Sequence, residues 1–273
     1  MALTINTNMS SLIVQKNLNA ATSMLNKSIE RMTTGYKINH AADNAAGYSI
    51  ATTWKTQLGS LDVASDNAST GADMLTTLED TYSLITSHLQ RVRDLTEQAA
   101  NGTYGSDSLK AIASEITARL EEIDRISANC EFNGLKMMDG SLTDDINLQV
   151  GLYSDAASRI ALDASLFQNG HVSALFKTFG GVGGATVAEV AKLCSGYDGK
   201  QITGGQNEML NKIDAVISEI SARTTTLGAA QNRIESAVES INVQSENITS
   251  SLSTLRDADV AEESSNYIKA QIL

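Results

Sequence analysis

The absence of proline is the feature that most constrains how this chain of 273 residues can fold. At a typical usage of about 5%, roughly 14 prolines would be expected. Proline removes a backbone donor and clashes with the preceding helical turn, so a chain without it can form long uninterrupted helices. Aromatic residues make up only 4% of the sequence, and Trp54 is the single tryptophan. This composition favours narrow seams between helices over a bulky globular core.

Apolar residues recur every three or four positions over long stretches, a spacing that is typical of amphipathic helices. These stretches cover residues 10–34, 44–100, 106–129 and 206–268. Asn8 or Ser10 is suited to cap the first helix, and Gly35 is suited to end it in the left-handed conformation. A continuous helix over the last stretch would reach roughly 95 Å at about 1.5 Å per residue. We therefore expect it to pack antiparallel against the helix of residues 44–100.

The middle of the chain lacks this helical period. Residues 146–150 and 159–162 alternate or nearly alternate apolar and polar side chains, which predicts a β-hairpin across 146–162. Nine of the 19 glycines lie between Gly170 and Gly205, which predicts a loop-rich insert over 164–205 with room for a short helix at 186–194. The predicted fold is mainly α: a long antiparallel helical bundle or coiled-coil rod with a small β-hairpin and a glycine-rich insert.

The charge of the chain excludes several classes of partner. The formal net charge is −12 and the pI is about 4.7. A general nucleic-acid binder needs a cationic surface, and an anionic membrane repels an acidic protein, so we expect neither partner. The sequence contains no apolar run of the roughly 18 residues that cross a bilayer. The first residues have neither the basic nor the apolar region of a secretory signal peptide, so none is expected.

No set of residues has the spacing of a catalytic, cofactor or metal site. The three histidines are scattered, and no HExxH or GxSxG motif is present. Cys130 and Cys194 lack ligand spacing and are expected to be free thiols or one incidental bridge. The glycines of residues 180–184 lack the Lys-Ser/Thr of a phosphate loop. We expect no enzyme activity and no cofactor.

Motifs at both ends of the chain resemble those of bacterial flagellins. The most characteristic one, LQRVRDLTEQAAN, covers residues 89–101. The others are LTINTN at 3–8, QKNL at 15–18, RMTTGYKIN at 31–39, AADNAAG at 41–47, EITARLEEIDR at 115–125, FNG at 132–134, LGAAQNR at 227–233, DAD at 257–259 and QIL at 271–273. The resemblance covers about 1–162 and 206–273. This sequence departs from the family's motifs at Asn44, where the family usually has Asp, and at His40, where the family usually has Ser.

This resemblance implies an extracellular subunit that polymerises into the flagellar filament for swimming motility. It also implies export in an unfolded state through the flagellar type III system, without a signal peptide. The implied partners are other copies of the chain, the export machinery with a flagellin export chaperone, and the hook-associated junction and cap proteins.

The resemblance further implies a division of the chain into inner and outer tubes. The implied segments are an N-terminal inner-tube helix at 1–43, one half of an outer-tube rod with the hairpin at 44–163, a short variable surface insert at 164–205, the other half of the rod at 206–250, and a C-terminal inner-tube helix at 251–273 that is shorter than the family's usual. The implied inner-tube assembly residues are Leu12, Leu18, Leu25, Ile29, Ile248, Leu252 and Leu255.

A polar face near the end of the second helix has two interpretations. It is either a surface on which arginines meet neighbouring subunits or, as the resemblance implies, a site recognised on the monomer by the flagellin-sensing Toll-like receptor. The residues at matching positions are Gln90, Arg91, Leu95 and Glu115. Arginine forms bidentate charge-assisted hydrogen bonds, which suits either role.

Two other functions stay open from the sequence. The junction protein that joins hook to filament shares the terminal motifs but lacks so close a match at 89–134. A secreted ligand for host receptors that never polymerises is the alternative from a different class. An enzyme is the weakest option, because no nucleophile and base can be paired.

Overall fold

The computed structural model describes residues 8–178, 186–196 and 206–272. Within these ranges the chain forms seven α-helices and four short β-strands. The helices are α1 (Met9–Thr34), α2 (Ala45–Ala100), α3 (Ser106–Asn129), α4 (Val172–Thr178), α5 (Val187–Ser195), α6 (Gln206–Arg256) and α7 (Val260–Ile272). The strands are β1 (Glu131–Phe132), β2 (Leu135–Lys136), β3 (Ile146–Gln149) and β4 (Arg159–Leu162). The mainly α fold predicted from the sequence is confirmed.

The three N-terminal helices lie where the apolar period predicts them. Asn8 caps α1, because its side chain accepts a hydrogen bond from the Ser11 N–H at 3.1 Å. Gly35 ends α1 with φ +75°, a left-handed conformation that glycine adopts without steric cost. The observed bounds of α2 and α3 agree with the prediction to within one residue.

The prediction of one helix from 206 to 268 is wrong. The chain leaves α6 after Arg256 and starts α7 at Val260. Backbone bonds to the segment after α1 replace helical bonds at this break, with Lys37 N–H donating to the Arg256 carbonyl at 2.7 Å and Ala258 N–H donating to the Gly35 carbonyl at 2.9 Å. Asp259 then caps α7, since its carboxylate accepts the Ala261 N–H at 2.8 Å.

Both pairs of strands are antiparallel. The hairpin predicted at 146–162 is confirmed, with Ile146 opposite Leu162 and Gln149 opposite Arg159. The strands β1 and β2, which an Asn-Gly turn connects, were not predicted. Asn133 has φ +50° and Gly134 φ +81°, so this turn has the left-handed backbone that Asn-Gly favours.

The described part of the insert contributes to the core. The short helix predicted at 186–194 is confirmed as α5, which packs against α3 and buries Val190, Ala191 and Cys194. A reciprocal pair of hydrogen bonds between Thr186 and Glu189 caps its first turn. The helix α4 was not predicted, because its seven residues are too few to show a period. The predicted glycine-rich loops at 179–185 and 197–205 lie outside the described residues.

The chain divides into two compact units. The first, which we call the terminal unit, comprises Met1–Val63 and Ile241–Leu273, and the second, the central unit, comprises Ala64–Ser240. The inner-tube and outer-tube segments given above stay a prediction. The central unit contains most of the fully buried large side chains, among them Leu75, Leu78, Tyr82, Ile85, Leu89, Ile116, Leu120, Ile123, Phe167 and Phe176.

Candidate assembly and recognition surfaces

A joint in the terminal unit connects the segment after α1 to the break between α6 and α7. Tyr36 and Asp257 pair as an isolated antiparallel bridge. The Arg256 guanidinium lies 4.2 Å from the centre of the Tyr36 ring, and its Nε donates to the Ile38 carbonyl at 3.2 Å. A cation over an aromatic ring and a charge-assisted hydrogen bond therefore reinforce the backbone pairing.

An ion pair fixes the turn that precedes α2. Lys27 Nζ lies 2.7 Å from an Asp43 carboxylate oxygen, and the backbone N–H groups of His40 and Asn39 donate to the other oxygen at 3.2 Å each. The Lys27 bond is the largest of several effects that together lower the pKa of the Asp43 carboxyl from 3.8 to about 2. This carboxylate consequently stays charged well below neutral pH.

The two departures from the flagellin motifs find partners in the same turn. The Asn44 side-chain oxygen accepts the Gly47 N–H at 2.9 Å, so it caps the start of α2. His40 Nε2 lies 2.8 Å from a Glu30 carboxylate oxygen, a contact that is an ion pair when the histidine is protonated. Asparagine therefore serves as the cap in place of aspartate, since both residue types have the required acceptor.

The predicted inner-tube residues of α1 lie largely in solvent in the single chain. Every residue from 8 to 20 is exposed, and Leu12 and Leu18 are 53% and 59% exposed. Ile29 is also exposed, whereas Leu25 is half-buried. The remaining three, Ile248, Leu252 and Leu255 of α6, are half-buried. A helix that leaves large apolar side chains uncovered has the surface of an interaction site.

The predicted recognition residues separate into an exposed set and a buried one. Arg91 donates from Nε to a Glu115 carboxylate oxygen at 2.9 Å, and its Nη2 lies 2.8 Å from the same oxygen. Both side chains are partly exposed, and Gln90 is exposed beside them. Leu95 is only 2% exposed, so its side chain belongs to the core. The structure thus pairs Arg91 with Glu115 on the surface of α2 and α3, next in sequence to the exposed Gln90, whereas Leu95 is buried.

Other chemistry-bearing residues do not form a site in the described ranges. No group of three or more His, Cys, Asp or Glu side chains there is arranged to hold a metal ion. Cys130 and Cys194 are both buried and unbridged, which decides between the two states left open by the sequence. Burial raises the pKa of both thiols, that of Cys194 to about 12. No described helix is long and apolar enough to cross a membrane.

Sequence reasoning missed a second ion pair, between Arg31 of α1 and Glu263 of α7. Arg31 Nη1 lies 2.8 Å from a Glu263 carboxylate oxygen; the Glu263 side chain is buried and that of Arg31 is half-buried. Their pairing requires the helix break at 257–259, which the continuous apolar period did not reveal. The available signal was Asp259, because aspartate is a preferred helix cap and here marks the start of α7.

Comparison with known proteins assigns the family. The profile of the bacterial flagellin N-terminal helical region matches residues 5–143, and that of the bacterial flagellin C-terminal helical region matches residues 210–273. The chain belongs to the bacterial flagellin family. Flagellins are the structural subunits of the flagellar filament, so this chain is a filament subunit that polymerises with its own copies outside the cell.

Relatives support this assignment along almost the whole chain. Flagellin FlaB1 of Treponema pallidum (strain Nichols) is 30% identical, over 98% of this chain and 91% of that protein. The flagellin of Bacillus subtilis (strain 168) is 32% identical, over 98% of this chain and 92% of that protein. The crystal structure of Bacillus cereus FlgL covers 74% of this chain and 99% of its own with a TM-score of 0.55, but at 19% identity this likeness concerns the fold alone.

Proposed function

We propose that copies of this flagellin meet in the filament through the exposed apolar side chains of α1, together with the other predicted inner-tube residues of α6. The observation that carries this proposal is the continuous exposure of residues 8–20. Each large apolar side chain that a neighbour covers contributes about 1.5–3 kcal/mol. Contacts of this kind, repeated in every subunit, stabilise a polymer without any new chemistry.

The test is the critical concentration for polymerisation, measured by sedimentation and electron microscopy on Leu18→Ala. Loss of about 2 kcal/mol of burial raises the critical concentration roughly thirtyfold. The matched control is Leu193→Ala on α5, whose side chain is also exposed in the single chain. Equal critical concentrations for the two variants would contradict the proposal.

A second candidate function is recognition of the monomer by the flagellin-sensing Toll-like receptor through Gln90, Arg91 and Glu115. It is supported by the resemblance of these positions and by the exposed, preformed Arg91–Glu115 pair. Such a pair offers a receptor a guanidinium already held in one orientation. Leu95 is buried, so it would act indirectly, through packing in the core that holds this part of α2 in place.

Binding of the receptor ectodomain to unpolymerised protein tests this role. We expect Arg91→Ala to weaken binding at least about tenfold, as truncation of an interface arginine commonly does. Arg125→Ala is the control, because Arg125 is an exposed arginine of α3 that pairs with Glu122. Similar affinities for both variants would exclude the predicted site.

The chain's export belongs to the same proposal. It leaves the cell unfolded through the flagellar type III system, carried by an export chaperone, and then meets the junction and cap proteins. The exposed apolar residues of α1 support this route, because a free subunit with such a surface needs a cover before it polymerises. Deletion of the flagellar export gate should abolish secretion of this chain but leave a Sec-dependent protein unaffected. Continued secretion would contradict this route.

A further inference from the structure

Glu263 is the only buried charged residue among residues 8–178, 186–196 and 206–272. Its side chain is 8% exposed, and its partner Arg31 donates from Nη1 at 2.8 Å. The buried Nε of Arg31 has no hydrogen-bond partner. Desolvation of both ions opposes burial, so an ion pair at such a position is weak evidence for stability. The presence of this ion pair therefore needs an explanation other than stability.

The orientation of α7 buries a carboxylate and leaves two isoleucines in solvent. Glu263 and Ala270 are its two buried residues. At 3.6 residues per turn, Ile268 and Ile272 lie about 140° and 180° around the helix from Glu263. They are 54% and 81% exposed. The two isoleucines of α7 therefore point to solvent, while Glu263 and Ala270 face inward with the half-buried Tyr267 beside them.

The joint at the end of α1 does not determine this orientation. Its two backbone hydrogen bonds hold Gly35 to Ala258 and Lys37 to Arg256, before α7 begins. They fix where α7 starts, and no side chain of α7 takes part in them. The Arg31–Glu263 pair lies one helical turn inside each helix, so it is placed to choose among the rotations.

We propose that the Arg31–Glu263 ion pair selects the face of α7 that packs on α1 and thereby holds Ile268 and Ile272 outward for contact with a second copy of this chain. Half a turn of α7 would bury both isoleucines, but it would turn Glu263 to solvent and cover the half-buried Arg31 guanidinium, whose Nε already has no hydrogen-bond partner, with apolar side chains. A buried charge without its partner is strongly unfavourable, so the rotation that keeps the ion pair prevails although it leaves both isoleucines in solvent. Arg31 and Glu263 are thus positioning residues for assembly.

A second copy is the occupant that the surroundings of this face favour. The chain belongs to a family whose members polymerise with themselves. The exposed face carries a shallow groove of about 410 Å³, lined by Ser265, Ile268, Lys269 and Ile272. In the same unit α1 leaves Leu12 and Leu18 uncovered, which provides apolar side chains of matching character. The contact with a second copy rests on the proposed function, whereas the choice of face by the ion pair does not.

Cysteine labelling reports directly which face of α7 is buried. The two native thiols are buried, so I268C and A270C proteins each carry one new site for a maleimide in the monomer. With the native ion pair we expect position 268 to react roughly tenfold faster than position 270, or more, because only the former is exposed. In the Arg31→Met/Glu263→Leu background both faces are apolar, and we expect this ratio to fall towards one.

Two further backgrounds separate orientation from stability. The exchange Arg31→Glu/Glu263→Arg restores opposite charges and should keep the native ratio. Glu262→Gln changes the adjacent exposed carboxylate and should leave the ratio and polymerisation unchanged. A ratio that stays native in Arg31→Met/Glu263→Leu would overturn the positioning role.

Polymerisation of the same proteins without the added cysteines tests the contact with a second copy. We expect Arg31→Met/Glu263→Leu to raise the critical concentration at least tenfold, and the charge exchange to restore most of the loss. A changed labelling ratio with an unchanged critical concentration would overturn the contact. Leu18→Ala tests the α1 surface separately, so failure of either proposal is distinguishable from failure of the other.

Discussion

The same helical period of apolar residues gives buried side chains in the central unit and exposed ones in part of the terminal unit. In the central unit the apolar positions of α2 are covered by neighbours in the same chain, and Leu75, Leu78 and Tyr82 are almost completely buried. In the terminal unit the apolar positions of α1 are equally regular, yet Leu12 and Leu18 lie in solvent. An amphipathic stripe therefore predicts that a helix will be covered, but not whether its own chain or another copy covers it.

The two units also differ in what holds their helices. Apolar side chains fill the central unit, whereas in the terminal unit Asp43 and Glu263 form ion pairs with α1, and Arg256 makes a polar contact with the segment after α1. Directional contacts fix an orientation while burying little apolar area. Such an arrangement leaves apolar surface available for assembly.

Removal of a central-unit side chain is expected to have the largest effect on the monomer. Leu78→Ala leaves a cavity at a fully buried position, so we expect the free energy of unfolding to fall by about 2–5 kcal/mol. Leu18→Ala is the matched substitution in the terminal unit and should change the same quantity by less than about 0.5 kcal/mol. Urea denaturation of both monomers measures the difference. Similar losses would show that the two stripes are covered alike.

A substitution at the hairpin is expected to have the next largest effect. Gly71 of α2 faces Leu148 of β3, and a Cβ there would lie within 3.3 Å of three Leu148 side-chain carbons. Gly71→Ala should therefore displace the hairpin at a cost of about 1–3 kcal/mol, which outweighs the gain in helix propensity. Gly59→Ala is the control, because nothing lies within 4 Å of its position. A Gly71→Ala protein as stable as this control would argue against tight docking of the hairpin on α2.

The Asp43 carboxyl makes the terminal unit sensitive to acid. Its pKa is lowered from 3.8 to about 2 in the folded chain, so its contribution is complete above pH 3.8 and is lost as pH falls through about 2. The difference in melting temperature between the native chain and Asp43→Asn should narrow over this window. A difference that is constant with pH would contradict the assigned charge state. Lys27→Met should move the carboxyl pKa back towards 3.8, because it removes the largest cause of the shift.

The exposed Arg91–Glu115 pair is expected to have the smallest effect on stability. Ion pairs in solvent contribute about 0–1 kcal/mol, so Arg91→Ala should leave the unfolding free energy of the central unit nearly unchanged. A double-mutant cycle with Glu115→Ala measures the coupling. A coupling well above 1 kcal/mol would make the pair structural and would weaken the case for a recognition site.

The helices could be predicted because their signals are local and repeated. Asn8, Gly35 and the long apolar period between caps each act within a few residues, and the structure follows them closely. The break after Arg256 could not be predicted from the period, because it depends on hydrogen bonds to residues 35–37, more than 200 positions away. The helix α4 and the strands β1 and β2 are too short for a periodic signal.

The candidate sites show the same limit. The polar character of Gln90, Arg91 and Glu115 predicts an exposed face, and the structure places all three there. Leu95 belongs to the apolar period of α2, and its burial agrees with that pattern. The Arg31–Glu263 pair joins residues 232 positions apart, so neither residue shows its role locally.

Hydrogen–deuterium exchange of monomer and polymer tests the central claim most directly, since it reports protection residue by residue. The account predicts that the backbone amides of residues 9–20 and those around Ile268 and Ile272 exchange quickly in the monomer and become strongly protected in the polymer. Residues 75–95 of α2 should be protected in both states. Unchanged exchange at 9–20 and at Ile268 and Ile272 after polymerisation would contradict the claim that other copies cover the apolar surface of the terminal unit.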